Sequence, residues 1–365
     1  MRTRVCLLLV PTLRKHFMQW VKISITYFII YCLKMIQLSS TSDENTITSP
    51  FSIHMILSQL SHGAESVTLD ELTKGLYHHD KDLITEGYQS LITQLNVRSS
   101  TPSFRQKLYN IVNNSANAAD TINAWVKEKT NNKILNIVSS ADFDEDTKLV
   151  LINAIYFNGN WLQKFEAMRT QQRMFHVTKD QEKLVPTMFN KAKYNYGNIP
   201  KLHAKFIEIP YMNKDIVMTV ILPDEIDGLS NLQNNFSWKL LQSASRAHND
   251  VELYLPKFKI EFTLNLKSVL LKLGLSTMFG SDANFNRISN VPLVVNKVLH
   301  KAVIEINEEG TEAAASTRVF YLSDKPQEFR VDRPFMFIIE YKPNNIPLFI
   351  GNVKDIGDAP QKDEL

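Results

Sequence analysis

Val298, His300, Ala302, Ile304 and Ile306 recur at every second position, an alternation that predicts a long strand with one face turned to a core. The apolar run Phe335-Met336-Phe337-Ile338-Ile339 predicts another strand further on. Lys205 to Pro210 and Asp215 to Leu222 flank the polar turn Asn213-Lys214 and are expected to form a hairpin, and Val251, Leu253 and Leu255 alternate as well. Helical spacing governs the first half instead. Ser52 to His62, Leu69 to Tyr77 and Ala118 to Asn131 carry apolar residues at helical intervals, with Ile122, Trp125 and Val126 on one face of the third. Arg105 to Val112 and Thr263 to Leu273 also read as helix. Helices first and strands later, without internal repeats or a low-complexity linker, favour one α+β domain over βαβ units.

Between the two C-terminal strands lies Glu308-Glu309-Gly310-Thr311-Glu312-Ala313-Ala314-Ala315-Ser316-Thr317, a run of small and mostly uncharged residues. If it becomes a strand, Thr311, Ala313, Ala315, Thr317, Val319 and Tyr321 share one face, and none of them is charged. Glu312, Ala314, Ser316 and Arg318 take the other face, so both charges stay wet. Gly310 supplies a pivot at little steric cost. Such a segment can enter a sheet without burying a charge. Three consecutive alanines by themselves suit a helix or a surface loop equally well; the flanking strands favour the latent strand.

The segment resembles the hinge of the reactive-centre loop of inhibitory serpins. Phe329-Arg330-Val331-Asp332-Arg333-Pro334-Phe335-Met336-Phe337-Ile338-Ile339 is similar to the signature beyond that loop. Asn153-Ala154-Ile155-Tyr156-Phe157-Asn158-Gly159-Asn160-Trp161 resembles the third strand of the family's large sheet and the tryptophan beyond it. Ser49-Pro50-Phe51-Ser52-Ile53, Leu255-Pro256-Lys257-Phe258 and Leu273-Gly274-Leu275-Ser276-Thr277-Met278-Phe279 resemble further family stretches. The likeness runs from about residue 25 to 357 and implies about three β-sheets, eight or nine helices and an exposed loop. The apolar stretch Ile23 to Ile36 falls where the first core helix is expected. One departure stands out. Leu95 to Phe104 passes directly into the helix-like Arg105 to Val112, so the second strand of the large sheet is expected to be missing, as in a shortened isoform or a narrower sheet.

Composition adds exclusions. The chain has 365 residues, 44% hydrophobic and 22% charged, with 11 Gly and 14 Pro, which describes a folded protein. A net charge of +3 without a long basic run argues against nucleic acid as a partner. Cys6 and Cys32 are the only cysteines, so no disulfide framework supports the main body. No metal-ligand spacing is present, and His78-His79 reads as a solvated pair. No nucleophile elbow, His-Glu-x-x-His or phosphate-cradling loop occurs, so no enzyme activity and no cofactor are expected.

The ends bear on location. Lys362-Asp363-Glu364-Leu365 matches an ER-retrieval signal, which implies an ER-retrieval receptor as a partner. Residues 1–22 form a candidate signal or targeting segment: Met1-Arg2-Thr3-Arg4 precedes a short apolar run that Arg14-Lys15-His16 interrupts. The domain then spans residues 23–361, and the expected location is the ER lumen or outside the cell. Asn113 and Asn235 open glycosylation sequons.

The resemblance implies a target serine or cysteine protease, a monomer, and inhibition by loop cleavage, acyl-enzyme trapping and insertion of the hinge as a new strand. Seventeen residues counted from Glu308 place the reactive bond after Asp324. Lys325, Ser323 and Leu322 are the alternatives if the register slips. Ser52, Asn153 and His300 resemble shutter residues beneath the opening sheet, and Trp161 resembles the tryptophan where insertion begins. Lys81 and Arg98 face Asp82 and Glu86 in sequence, too weak a basic set for heparin. The competing reading is a non-inhibitory, ER chaperone-type serpin or an inactive shortened isoform.

Overall fold

The computed structural model of the chain describes residues 44–76, 87–88, 91–92, 103–110, 117–144, 146–157, 159–308 and 327–357. Its strands, in chain order, begin with β1 Thr46–Thr48, β2 Ser103–Asn110, β3 Leu149–Phe157, β4 Gln171–His176, β5 Glu182–Ile199, β6 Ala204–Pro210 and β7 Ile216–Pro223. They continue with β8 Ala247–Pro256, β9 Phe258–Asn265, β10 Val295–Ile306, β11 Gln327–Arg330, β12 Phe335–Tyr341 and β13 Ile346–Val353. The helices are α1 Pro50–Gly63, α2 Ser66–Gly75, α3 Ala118–Lys129, α4 Leu229–Asn235, α5 Trp238–Ser243 and α6 Lys267–Lys272.

The α+β architecture expected from the order of patterns is the one observed. A four-stranded sheet runs β2-β3-β10-β9, and a nine-stranded sheet runs β1-β13-β12-β7-β6-β5-β8-β11 with β4 paired to β5. Among the described residues the expected sheets trace two hydrogen-bonded paths, because two of them are continuous. The reason is β5, whose 18 residues pair with β8 and then, at their end, with β6, joining two sheets into one path.

Three expectations are corrected. Of the stretch Arg105 to Val112, the described part is not helical: Ser103–Asn110 is a strand, paired antiparallel with β3 from Ser103↔Tyr156 to Asn110↔Leu149. The place beside β3, expected empty, is thus occupied. Periodicity alone does not separate a short strand from a helix turn, and the open ladder of β3 decides here. Thr263 to Leu273 divides, with β9 extending to Asn265 and α6 beginning at Lys267, because β9 pairs antiparallel with β10 up to Asn265↔Leu299. Both faces of β10 are covered rather than one. Leu299 and Val303 pack beneath α3 with Ile122 and Val126, while Val298 and Ile304 face the core on the other side.

Local chemistry explains the central helix. Ser49 caps α1 by accepting from the Ser52 N–H (3.3 Å), and Pro50 occupies the first turn, where its missing N–H costs nothing. Almost every residue of α1 is buried, including Ser52, His54, Ser58 and Ser61, so it is covered on all sides rather than on one stripe. Ile53, Ile56, Leu57 and Leu60 pack with α2 and α6, while Phe51 and Met55 face the core of the larger sheet.

Candidate functional site

The site is a seam. β3 and β10 lie side by side and parallel, paired from Leu151↔Val298 to Phe157↔Ile304, and β10 leads at its C-terminal end into Glu308. In this register Asn153 faces His300, and both are fully buried. His300 Nε2 accepts from the Ser49 backbone N–H (3.2 Å), which leaves the proton on Nδ1 to donate to Asn153 Oδ1 (3.3 Å). The Ser52 hydroxyl donates to the same oxygen at 3.0 Å. Ser49 Oγ, in turn, donates to the Leu348 carbonyl of β13 (2.6 Å). The three expected shutter residues therefore meet, and the N-cap of α1 completes their network. Burial drives the His300 pKa down to about 3, so the ring is neutral. Asn153 Nδ2 is buried without a partner, which costs this closed arrangement on the order of 1–3 kcal/mol.

The head of the seam is tied separately. Trp161 is buried and donates from Nε1 to the Asn307 carbonyl at 3.0 Å. Its ring stacks on Tyr211, with centroids 4.4 Å apart and planes inclined by 14°, and Phe157 meets Tyr211 edge-on at 5.0 Å. Gly159 permits this packing, because a Cβ there would stand 2.7 Å from the Tyr211 ring and 2.8 Å from Phe157 Cζ. Glu308 is buried, accepts from Thr170 Oγ1 (2.7 Å) and pairs with Lys257 Nζ (2.8 Å). Burial alone would raise its pKa. The hydrogen bonds from Lys257 and Thr170 outweigh that and hold it below the ordinary carboxylate value.

The outer face of β10 is strapped down as well. Lys297 pairs with Asp142 (2.7 Å), Lys301 Nζ donates to the Asn136 carbonyl (2.6 Å), and Lys133 pairs with Glu305 (3.6 Å). These contacts hold α3 and residues 130–142 across the seam.

Ser52, Asn153, His300, Trp161 and Glu308 thus come to one seam. Glu309 to Thr317 of the hinge and Leu322, Ser323, Asp324 and Lys325 lie outside the described residues. So do residues 1–22, Ile23 to Ile36, His78, His79, Lys81, Arg98, Asn113 and the tail Lys362 to Leu365. Asn235 is exposed at the end of α4, with its side-chain amide donating to the Asn231 carbonyl at 2.9 Å. No cluster of metal-ligating side chains occurs among the described residues. Sequence reasoning missed Ser49, Thr170, Tyr211 and Lys257 as parts of the site. Only Ser49 carried a local signal, as a serine before Pro50 at a helix start.

The seam is a directly paired, parallel junction of β3 and β10 that the chain leaves at Glu308, and the comparisons identify the family. The family model for serpin (serine protease inhibitor) matches residues 25–111 and 104–356, and the chain belongs to this family. Membership places it among proteins that are not catalysts. It is 34% identical over 349 residues to leukocyte elastase inhibitor of Bos taurus, covering 85% of this chain and 92% of that protein. It is 42% identical over 250 residues to alaserpin of Manduca sexta, covering 66% of this chain and 63% of that one. Among solved structures, Serpin48 of the insect Tenebrio molitor superposes with a TM-score of 0.83 at 29% identity, covering 93% of this chain and 99% of that one. Uncleaved ovalbumin gives 0.83 at 25% identity, covering 92% and 99%. The two matched pieces share residues 104–111, which overlap β2.

Proposed function

We propose that this chain inhibits a protease by offering residues 309–326 as a substrate and inserting the hinge between β3 and β10 once that segment is cut. The observation that carries the reading is the closed parallel seam. A chain leaving β10 and folding back runs antiparallel to β10, and because β3 is parallel to β10 it runs antiparallel to β3 too. Both new ladders are then of the antiparallel kind, the slightly more stable one. The hinge suits the slot, since its inward set of Thr311, Ala313, Ala315 and Thr317 is small and uncharged.

Insertion separates Asn153 from His300 by one strand, roughly doubling their ~4.8 Å strand spacing, so the shutter network must break before the seam opens. Trp161 and Glu308 hold the head of the seam shut until then. The protease, joined as an acyl-enzyme to Asp324 or to one of Lys325, Ser323 and Leu322, is carried with the moving strand. Relatives named elastase inhibitors support a protease as partner.

The test is incubation with a panel of chymotrypsin-like, elastase-like, papain-like and caspase-like proteases, followed by a denaturing gel and mass spectrometry of the cut. A covalent complex is expected, with one cleaved position between residues 321 and 326. Cleavage without any complex overturns the inhibitory reading and favours the chaperone-type alternative.

A further inference from the structure

A second cluster stands beside the head of the seam, and insertion does not use it. Arg330 of β11, Tyr254 of β8 and Phe189 of β5 are direct cross-strand neighbours in one row. The Phe189 and Tyr254 rings lie 4.9 Å apart. Three guanidinium groups cover them: Arg169 at 4.2 Å from the Phe189 centroid, and Arg173 and Arg330 at 4.4 and 5.3 Å from that of Tyr254. Arg169 and Arg330 are exposed, and Arg173 is half-buried.

Charge is not balanced across this cluster. Arg330 pairs with Glu328 (2.5 Å), and Lys191 in the next row pairs with Glu252 (3.1 Å). Arg169 and Arg173 meet no carboxylate among the described residues; Arg173 Nη2 donates only to Gln171 Oε1, at 3.2 Å. A guanidinium lying flat on a ring keeps its N–H edge free and its plane fixed, which suits a carboxylate.

Position gives the cluster its meaning. Arg169 precedes Thr170, whose hydroxyl holds Glu308 where the chain leaves β10. Arg330 lies in β11, where the chain re-enters the sheet at Gln327. The stack therefore joins the two feet of residues 309–326.

We propose that Arg169, Arg173 and Arg330, held on Phe189 and Tyr254, form a docking face for an acidic surface of the target protease beside its cleft. The proposal rests on the inhibitory reading, because a protease attacking residues 309–326 must approach between those feet. An extended polyanion fits less well, since the next rows of the same face carry Glu252 with Glu328 and then Asp250, which confine the positive charge to one end. The contact acts on encounter and orientation, so it governs how fast the protease is captured and leaves the steps after cleavage unchanged.

The test compares wild type with an Arg169→Glu/Arg173→Glu variant and an Arg169→Lys/Arg173→Lys variant, using a protease that the wild type traps. The rate of complex formation is measured at about 0.05 M and about 0.5 M salt, with the number of inhibitor molecules consumed per protease trapped. The glutamate variant should react about tenfold more slowly at low salt and lose most of its salt dependence, with unchanged consumption. The lysine variant, which keeps charge but not the fork, should fall between. Unaltered rates overturn the proposal while leaving inhibition intact. A change in consumption alone also overturns it, by pointing to the chain's own loop as the occupant of this face. If no protease is trapped, the inhibitory reading fails and this proposal fails with it.

Discussion

His300 is neutral because it is buried, and that has a consequence for acid stability. Its folded pKa of about 3 lies below the ordinary 6.5, so the unfolded chain binds a proton that the folded one does not. The stabilisation is complete above 6.5 and is lost as pH falls from 6.5 towards 3, on the order of 5 kcal/mol in all. Glu208 and Glu308 are held below the usual value and begin to lose their share only below about 4.5, while burial raises Glu340 and gives the opposite slope just above it. Comparison with His300→Gln isolates the histidine: urea titrations between pH 6.5 and 5 should show a steeper loss in wild type. Equal slopes would mean that the ring titrates freely. Gly159→Ala is expected to destabilise by about 1–3 kcal/mol, read from the urea midpoint, because the new methyl meets the rings of Tyr211 and Phe157. The residues that tune the seam were legible in sequence where they belong to an extended pattern, as with Asn153 and Trp161. Tyr211 and Lys257 were not, since nothing near them in sequence shows what they stack on or pair with.

At the scale of elements, the latent strand permits a test by parity. Ala313→Glu places a charge on the inward face of an inserted hinge, whereas Ala314→Glu places it on the wet face. The first should convert trapping into plain cleavage on a denaturing gel, and the second should leave the complex band close to wild type. The larger sheet has its own buried network. Glu208 of β6 accepts from Arg246 (2.8 Å), Lys342 (2.8 Å) and Asn195 (3.0 Å), and Lys342 also pairs with the fully buried Glu340 (3.2 Å). Glu208→Ala strands two cations beside one carboxylate that burial already resists charging, and should cost about 3–5 kcal/mol in denaturant unfolding. Replacing Glu208, Glu340, Arg246 and Lys342 together with apolar residues should cost less than that single change.

For the molecule as a whole, the proposed insertion would add a strand to the middle of a sheet. About ten ladder bonds at ~1 kcal/mol net each amount to about 10 kcal/mol, comparable with the total stability of an ordinary domain. On the proposed mechanism the uncut form is kinetically held rather than at its lowest free energy. Cutting the loop should raise the melting temperature by more than about 10 °C, on the scale of that gain. A melting temperature that does not move would show that the four-stranded sheet cannot accept a fifth strand between β3 and β10. This is the measurement on which the inhibitory reading depends most heavily.

Helices α1, α2 and α3, the hairpin of β6 and β7, and strands β10 and β12 followed from periodicity, because apolar residues at those spacings must be hidden whatever the element packs against. The uncharged inward set of the hinge was equally a property of the sequence. Three things depended on tertiary structure. Residues 103–110 became a strand because β3 offered an open ladder. Both faces of β10 were covered because α3 crosses it. Arg169, Arg173 and Arg330 came together because β4, β5, β8 and β11 lie side by side. Local pattern records which face a residue avoids, whereas partners drawn from distant parts of the chain are chosen only when the sheets assemble.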